Sequence, residues 1–408
     1  MTTTHPRGAA PGTTDRERPR AVLPALCATQ IISWGILYYA FPVLLPHITA
    51  DTGWSAAWST AAFSGALLVS ALVGIPVGRV LDRRGPHVVM TTGSAVGVAA
   101  LAAAAFAPNI AVFAAAWLLA GTAMAATFYL PAFAALTRWH QPDHVRALTT
   151  VTLAGGLAST VFAPVTAVLA DHLSWRTTYL LLAAVLAVTA LPLHALMLRH
   201  PWPPAPKVHT ATAPAAVSRS RPFLLLAAAF TLSSLAMYGV VFATVPLLIA
   251  RGLPLATAAW ALGLGGLGQT LGRTLYASLA RRTEVTHRSA ALLAAGGITT
   301  VLLAVVPGPA PLLFAAAMLA GVVRGNLTLL QATAVTDRWG SAAYGRLSGL
   351  LAAPTTVAGA LAPWMATTAA PLLGGHVPLF LLLASLSAIA AALALTARTA
   401  KELKVRTT

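Results

Sequence analysis

The sequence predicts an all-α membrane protein in which about twelve transmembrane helices form two six-helix bundles. Three observations predict this fold class: the composition, the spacing of the apolar segments, and a repeat between the two halves of the chain. Of the 408 residues, 58% are hydrophobic and only 9% are charged, whereas a soluble globular chain has about 25% charged residues. So few charges cannot cover a water-exposed surface, and lipid must therefore surround much of the molecule.

The apolar segments are long enough to cross a bilayer as helices. They lie near residues 21–47, 55–80, 86–107, 109–137, 144–170, 174–198, 222–250, 255–280, 287–306, 309–336, 343–370 and 376–397. A Pro-, Ala- and Arg-rich stretch interrupts the series and is typical of a flexible linker. The predicted parts are an N-terminal tail (1–20), a first bundle (21–198), the linker (199–221), a second bundle (222–397) and a C-terminal tail (398–408).

Positive charges mark alternate connections between the predicted helices. They are Arg83, Arg84, Arg138, Arg146, Arg281, Arg282, Arg288, Arg338 and Arg346, and both tails are also basic. Because positively charged loops stay in the cytoplasm, both termini are predicted to be cytoplasmic, in a multi-pass protein of the cell membrane. The net charge of +17 has the same origin. Since the basic residues do not form one face of a soluble module, no nucleic-acid partner is predicted.

Several kinds of chemistry are excluded or not indicated. Cys27 is the single cysteine, so an intramolecular disulfide and a multi-cysteine metal site are excluded. The sequence shows no HExxH, GxSxG or P-loop pattern, and we predict no enzymatic activity, no metal and no cofactor. The expected partners are a small-molecule substrate and the lipid bilayer, with the monomer as the functional unit.

The two halves repeat each other with an offset near 200 residues. The matching pairs include Trp34-Gly35 with Tyr238-Gly239, Pro42 with Pro246, Arg138-Trp139 with Arg338-Trp339, and Ala163-Pro164 with Ala362-Pro363. An even number of spans separates equivalent helices, so the halves are parallel repeats about an axis along the membrane normal. Rocking such halves exposes a site between them to either side of the membrane. The repeat therefore predicts transport.

The segment 78–85 carries a motif with the sequence GRVLDRRG. It is similar to the G-x-L-A-D-R-x-G-R-K loop between the second and third helices of the major facilitator superfamily, which the chain resembles over nearly its whole length. The resemblance implies a secondary transporter with twelve helices. In physical terms, Gly78 permits a close helix approach, and Asp82 can cap a helix or pair with an arginine. The predicted gating residues are Gly78, Arg79, Asp82, Arg83, Arg84 and Gly85.

Two arginines fall inside predicted spans, Arg273 in the eighth and Arg324 in the tenth, whereas all nine acidic residues fall in loops, tails or helix ends. A guanidinium at the bilayer centre costs at least ~2.5–3.5 kcal/mol on insertion scales, so each must face the bundle interior and find a partner. The candidates are backbone carbonyls, amides, water or an anionic substrate. We hypothesise that the substrate is a small organic anion, such as a carboxylate. Efflux of hydrophobic drugs or secondary metabolites is the alternative, because scant charge suits it equally.

The surroundings of Arg273 carry a further resemblance. The segment 272–277 (GRTLYA) is similar to the eighth-helix arginine segment of the monocarboxylate and oxalate–formate branches, in which this arginine binds substrate. Gln269 stands where monocarboxylate carriers have an aspartate, which disfavours proton-linked symport. The alternative roles are gating, since Arg273 lies about two helical turns from Arg281, and structural filling between helices.

Arg324 shares one face of the tenth helix with Thr328 and Gln331 by the i, i+4, i+7 spacing. In the resembled fold the tenth helix lines the cavity, which implies that this face contacts substrate. The alternative is that Arg324 bonds carbonyls at a helix crossing. Asn326 lies off this face and is a secondary candidate.

In the first helix, Gln30, Trp34 and Tyr38 share a face at i, i+4, i+8, and Tyr238 repeats an aromatic position in the seventh helix. Both helices line the cavity in the resembled fold, so these residues are predicted to contact substrate. Tyr129 in the fourth helix joins this set. The alternative is an aromatic core or interfacial belt.

Overall fold

The computed structural model describes residues 20–140, 144–202, 217–339 and 344–397, and these residues form twelve long helices. The helices are α1 (Val22–Thr52), α2 (Ala56–Arg84), α3 (Pro86–Ala105), α4 (Ile110–Trp139), α5 (Arg146–His172), α6 (Trp175–Met197), α7 (Arg221–Ala250), α8 (Leu255–Arg282), α9 (Val285–Val305), α10 (Ala310–Trp339), α11 (Leu347–Leu372) and α12 (His376–Thr396). The predicted tails, apart from Arg20, and most of the predicted linker lie outside the described residues.

Eleven of these helices are long and apolar enough to cross a membrane. The one remaining helix of the twelve is α8, which corresponds to the predicted eighth span and follows α7 in the chain. It is less apolar because it contains five glycines together with Gln269 and Arg273. The prediction of an all-α membrane protein with about twelve helices is confirmed.

The two halves repeat the same packing. In the first half, α2 packs on α4, and the equivalent helices of the second half, α8 and α10, also pack together. Likewise α3 packs on α6 in the first half and α9 packs on α12 in the second. Two long helix pairs join the halves, α5 with α8 and α2 with α11. The space between the halves is therefore bordered by these pairs and by α1 and α7.

Glycines bring α8 and α10 together backbone to backbone. A Cβ added at Gly272 would lie 2.0 Å from the Val322 carbonyl oxygen, and one at Gly325 would lie 2.1 Å from the Gln269 carbonyl oxygen. Small residues at four-residue spacing permit such an approach in membranes, where close van der Waals packing drives association. The seam places Arg324 beside Gln269, one on each helix.

The first helix contains a π-helical turn over Gly35–Tyr39. Pro42 follows it and has no N–H to donate to the carbonyl of Tyr38, which loosens the helix at this turn. Gly35 also allows the ring of Phe162 in α5 to pack against the backbone of α1, because a Cβ at this position would lie 2.1 Å from that ring. Single π turns of this kind are frequent at functional sites.

The fourth helix is interrupted at Phe128, whose backbone is extended (φ −76°, ψ −159°). Pro131 accounts for the interruption, since it has no N–H for the Thr127 carbonyl one turn earlier. With the offset of 200 residues, Gln331 stands in α10 where α4 has Pro131. The helix α10 is continuous over Ala310–Trp339, so the repeat in sequence does not extend to helix shape.

Candidate functional site

A cavity of about 450 Å³ lies between the two halves. It is bordered by α1, α2 and α4 from the first half and by α7, α10 and α11 from the second. Its aromatic and polar lining residues are Trp34, Tyr38, Ser70, Phe128, Phe230, Tyr238, Gln331, Ser348, Thr355 and Thr356. Among the described residues that line this central cavity, none carries a charge.

Aromatic rings form one wall of the central cavity. Trp34 stacks on Phe128 with ring centroids 3.9 Å apart, and Tyr38 meets Tyr238 edge to face at 6.5 Å. Tyr38 is only 3% exposed, yet its hydroxyl and the Trp34 Nε1 have no hydrogen-bond partner among the described residues. Buried polar groups in proteins are almost always paired, so these two donors are exceptions.

The central cavity extends toward the side of the membrane on which α1 begins, which is called the terminal side here. Ser348 lies at the start of α11, and Ala332 lies two turns before the end of α10, and both helix ends are on the terminal side. The cavity therefore reaches from the middle of the helices toward the terminal side.

On the opposite side the halves close around Phe242. Its ring lies 6.0 Å from Phe41 and 5.9 Å from Phe63, centroid to centroid, so a residue of the second half packs in the core of the first. Nearby, the backbone N–H of Trp364 donates to Ser64 Oγ at 3.1 Å. A second cavity of about 350 Å³ lies beyond Phe242. These contacts separate the two cavities.

Arg273 links the two halves beside the central cavity. It is 6% exposed, and its Nη1 donates to the Thr152 carbonyl in α5. Its guanidinium also lies close enough to the Tyr129 hydroxyl to interact with it electrostatically. Gly156 gives it room, since a Cβ there would lie 3.3 Å from Arg273 Nη1. The Nε of Arg273 is buried and has no hydrogen-bond partner in the part of the chain that the structure describes.

Arg324 donates from Nε to Gln269 Oε1 at 3.0 Å, while its Nη2 is buried and no described residue bonds it. Tyr238 lies within electrostatic range of both Arg324 and Arg273, and Tyr38 lies within range of Arg324. None of the ion pairs found among the described residues includes either arginine. The wall formed by these two tyrosines is therefore backed by two positive charges without carboxylate partners in the described part of the chain.

Gln30 is fully buried at the interruption of α4 and does not line the central cavity. Its Nε2 donates to the Thr127 carbonyl at 2.7 Å and to the Phe128 carbonyl at 3.4 Å. This amide replaces the donor that Pro131 lacks. Gln30 thus fixes α1 to the two ends of the interrupted helix.

The predicted substrate-binding residues divide into three groups. Those that line the central cavity are Trp34, Tyr38, Tyr238 and Gln331. The described lining of that cavity does not include Gln30, Tyr129, Gln269, Arg273 or Arg324, and Arg324 lines a separate cavity of about 40 Å³ within the second half. Asn326 and Thr328 bond carbonyls of their own helix, at 2.9 and 3.0 Å. Phe128 and the face of α11 also line the central cavity, although neither was predicted from the sequence. The seven-residue spacing of Ser348 and Thr355 carries a signal for that face, but their small and apolar neighbours obscure it.

Asp82 of the predicted gating motif contacts both the fourth helix and the linker. Asp82 forms an ion pair with Arg138 of α4. Trp202, at the start of the predicted linker, donates from Nε1 to the Asp82 carbonyl at 3.1 Å and lies under the Arg138 guanidinium at 4.3 Å. The first residues of the linker, 199–202, therefore pack on the loop between α2 and α3.

The other residues of this motif have fewer contacts. Arg79, Arg83 and Arg84 are exposed. Gly85 has a φ of 78°, a left-handed conformation that glycine adopts without strain. No atom lies within 4 Å of a Cβ built on Gly78, so the close helix approach expected there is not present in this conformation.

Three comparisons place these features in context. A sequence profile described as Major Facilitator Superfamily matches residues 26–363. A bacterial homolog of the human lysosomal transporter Spinster, inward-facing and occupied, is 14% identical with a TM-score of 0.74, and covers 94% of this chain and 97% of its own. Its inward-facing, unoccupied form is 15% identical with a TM-score of 0.75, and the match covers 94% of this chain and 97% of that one. The nucleoside transporter NupG is 15% identical with a TM-score of 0.70, and the match covers 93% of this chain and 99% of that one. The search of curated proteins found no match. At these identities the structures share the fold.

Proposed function

Because the chain belongs to the major facilitator superfamily, it is a secondary transporter and not an enzyme, and we propose that its substrate is a small organic anion. In this proposal the solute crosses the cell membrane by alternating access, with both termini in the cytoplasm and the terminal side facing the cytosol. The monomer is the working unit. The two-halved fold with a central cavity supports this mechanism.

The observation that carries the anion proposal is the pair of buried guanidiniums, Arg273 and Arg324. Each has a buried nitrogen without a hydrogen-bond partner, and neither joins an ion pair among the described residues. Charge within a membrane is costly unless it is compensated. A carboxylate of the solute supplies that compensation, because the planar guanidinium binds carboxylates with two parallel hydrogen bonds.

The aromatic wall indicates the rest of the solute. A volume of about 450 Å³ falls in the usual range for small-molecule sites, which combine an apolar lining with a few polar groups. Trp34 and Phe128 offer flat apolar surface, while hydroxyls such as those of Thr355 and Ser348 offer hydrogen bonds. The solute that fits best has one anionic group and an apolar or aromatic body.

Arg273 combines two of the roles that the sequence left open for it, substrate binding and gating. In this conformation its guanidinium donates to the Thr152 carbonyl. An anion that binds Arg273 more strongly than the Thr152 carbonyl does weakens the contact between α5 and α8. A ligand shifts a conformational equilibrium only through such differential contacts.

On the resemblance of the segment 272–277, we place the chain near the monocarboxylate and oxalate–formate branches. Gln269 accepts a hydrogen bond from Arg324, and its amide cannot take up and release a proton as a carboxylate can. This favours anion exchange or gradient-driven passage over proton symport.

The second candidate function is efflux of hydrophobic drugs or secondary metabolites. One observation favours it: the described residues that line the central cavity carry no charge. In that case Arg273 and Arg324 serve only the packing between helices, and the solute does not meet them.

The test is thermal stabilisation of the purified protein by acetate, benzoate, oxalate, succinate, glycerol 3-phosphate and tetraphenylphosphonium. A ligand at about 100 times its Kd stabilises the folded state by about 2.7 kcal/mol. We expect an anion to stabilise the wild type and neither Arg273→Gln nor Arg324→Gln. Arg281→Gln is the matched control, because Arg281 is an exposed arginine of the same helix, α8. Stabilisation by tetraphenylphosphonium alone, retained in both variants, would replace the anion proposal with hydrophobic efflux.

The orientation is tested separately with a reporter that fluoresces only in the cytosol. Fused after residue 408, it is expected to fluoresce, and a dark but expressed fusion would reverse the proposed topology.

A further inference from the structure

We propose that Gly359 of α11 sets the size of the solute that the central cavity accepts, because it leaves room for the ring of Tyr238 against the helix backbone. The inference rests on the proposed function in one respect, that the central cavity holds the transported solute. It deepens that function by naming a residue that determines specificity. Gly359 acts through Tyr238 and is therefore a positioning residue.

The contact between these two residues is close. A Cβ built on Gly359 would lie 2.9 Å from Cδ2 and 3.0 Å from Cε2 of the Tyr238 ring. Both residues line the central cavity. The ring of Tyr238 therefore occupies the place that a side chain at position 359 would take.

A hydrogen bond one turn away holds the two helices at this distance. Ser234 of α7 donates from Oγ to the carbonyl of Thr355 in α11 at 2.9 Å. Ser234 is only 1% exposed, and a Cβ at position 359 would lie 3.1 Å from its Oγ. Moving α11 away from α7 to make room for a larger residue would break this buried hydrogen bond, which is costly.

The ring of Tyr238 has the central cavity as the space into which it can move. Tyr38 lies across from it, with ring centroids 6.5 Å apart. The ring of Tyr38 lies 5.3 Å from that of Phe63 in the core of the first half, so Tyr38 is not free to give way. A methyl group at position 359 would push the Tyr238 ring away from α11 and make the cavity narrower beside it.

The first half differs at the equivalent positions. By the repeat, Trp34 is the counterpart of Tyr238, and Thr160 is the counterpart of Gly359. Trp34 stacks on a ring of α4 at 3.9 Å, while Thr160 donates to the Gly263 carbonyl of α8 at 2.8 Å. The fold thus accommodates a threonine at this position in one half. The glycine in the other half is required by the ring that packs on it.

The test measures the width of the central cavity with thiol reagents of two sizes. A cysteine is introduced by Ser70→Cys in a Cys27→Ser background. Methyl methanethiosulfonate and benzyl methanethiosulfonate each label it, and mass spectrometry follows the two adducts. Gly359→Ala is expected to lower the ratio of the benzyl rate to the methyl rate about tenfold, because overpacking displaces the ring.

Two controls accompany this measurement. Gly349→Ala is the matched variant, since no atom lies within 4 Å of a Cβ at that glycine of the same helix, and it is expected to leave the ratio unchanged. A cysteine introduced by Ser348→Cys lies about three helical turns nearer the start of α11. Its ratio is expected to be the same with and without Gly359→Ala, because the cavity narrows only beside Tyr238.

Two further variants separate the role of the ring from an effect on folding. Gly359→Ala/Tyr238→Ala is expected to recover the wild-type ratio, and Tyr238→Ala alone is expected to raise the ratio above it. An unchanged ratio at position 70 in Gly359→Ala, an equal fall at position 348, or no recovery in the double variant overturns the proposal. If Gly359→Ala does not fold, Tyr238→Ala alone decides, and a ratio no higher than that of the wild type overturns the proposal.

Solute binding distinguishes this proposal from the proposed function. Labelling requires no solute, so the ratio decides the role of Gly359 even if no anion binds and the proposed function fails. Where the wild type binds both benzoate and acetate, Gly359→Ala is expected to raise the Kd of benzoate about tenfold more than the Kd of acetate. Equal weakening of the two anions would show that Gly359 does not select by size, and would leave the proposed function intact.

Discussion

The Arg324 guanidinium donates from Nε to the Gln269 Oε1 at 3.0 Å, across the seam where α8 meets α10. The partner of this intramembrane charge is a neutral amide, so the charge is hydrogen-bonded but not compensated. Its Nη2 has no partner among the described residues. The contact orients Arg324 while leaving it able to attract an anion.

Gln269→Leu is expected to destabilise the protein. The substitution keeps a side chain of similar size but leaves the guanidinium of Arg324 buried without its acceptor, which costs about 1–3 kcal/mol. The melting temperature in detergent measures this effect. The double variant Gln269→Leu/Arg324→Leu is expected to melt above Gln269→Leu, because both partners are then apolar. A double variant that melts lower than either single variant would show that Arg324 is stabilised by other groups.

Gly272→Ala is expected to separate α8 from α10. The added methyl would lie 2.0 Å from a backbone oxygen, which cannot move aside as a flexible side chain can. We expect a large fall in melting temperature and loss of the Arg324–Gln269 bond. Gly349→Ala in α11 is the control, since no atom lies within 4 Å of a Cβ at that position. Equal melting temperatures for the two variants would contradict the glycine seam.

Phe242→Ala is expected to open a path between the two cavities. The ring contacts Phe41 and Phe63, and its removal leaves a gap in the closed side of the transporter. The measurement is the rate at which a membrane-impermeant thiol reagent labels a cysteine in the central cavity. That cysteine is introduced by Ser70→Cys in a Cys27→Ser background. Labelling from the side opposite the termini is expected to accelerate severalfold.

Phe106→Ala serves as the control for that measurement, because Phe106 is 72% exposed at the end of α3. Unchanged labelling of the Phe242→Ala protein would mean that the halves are sealed elsewhere, for example by the bond between Trp364 and Ser64.

Gly155→Ala is expected to displace the side chain of Tyr129. A Cβ at Gly155 would lie 2.3 Å from the Tyr129 hydroxyl, so overpacking lowers the melting temperature by several degrees. Adding Tyr129→Phe removes the clashing oxygen and is expected to recover part of the loss. If Tyr129→Phe does not raise the melting temperature of Gly155→Ala, the Tyr129 hydroxyl is not the group that requires glycine at position 155.

The positions of the helices followed from local properties of the sequence. Hydropathy, the distribution of arginines and the offset of about 200 residues each depend on short segments, and a segment that must satisfy its own backbone in lipid becomes a helix. The two intramembrane arginines were identified for the same reason, since their cost depends on depth alone. Trp34, Tyr38 and Gln331 were predicted by helical spacing and Tyr238 by the repeat, and all four line the central cavity.

Contacts between distant segments decided the rest. Gln30 has the spacing of a cavity residue, but its position beside Thr127 assigns it to the interruption of α4. Pro131 is visible in the sequence, yet whether a proline bends, loosens or interrupts its helix depends on which neighbour supplies the missing hydrogen bond. The partners of Arg273 and Arg324 lie on other helices. Sequence thus determined where helices form, and the rotation and contact of those helices determined which side chains meet.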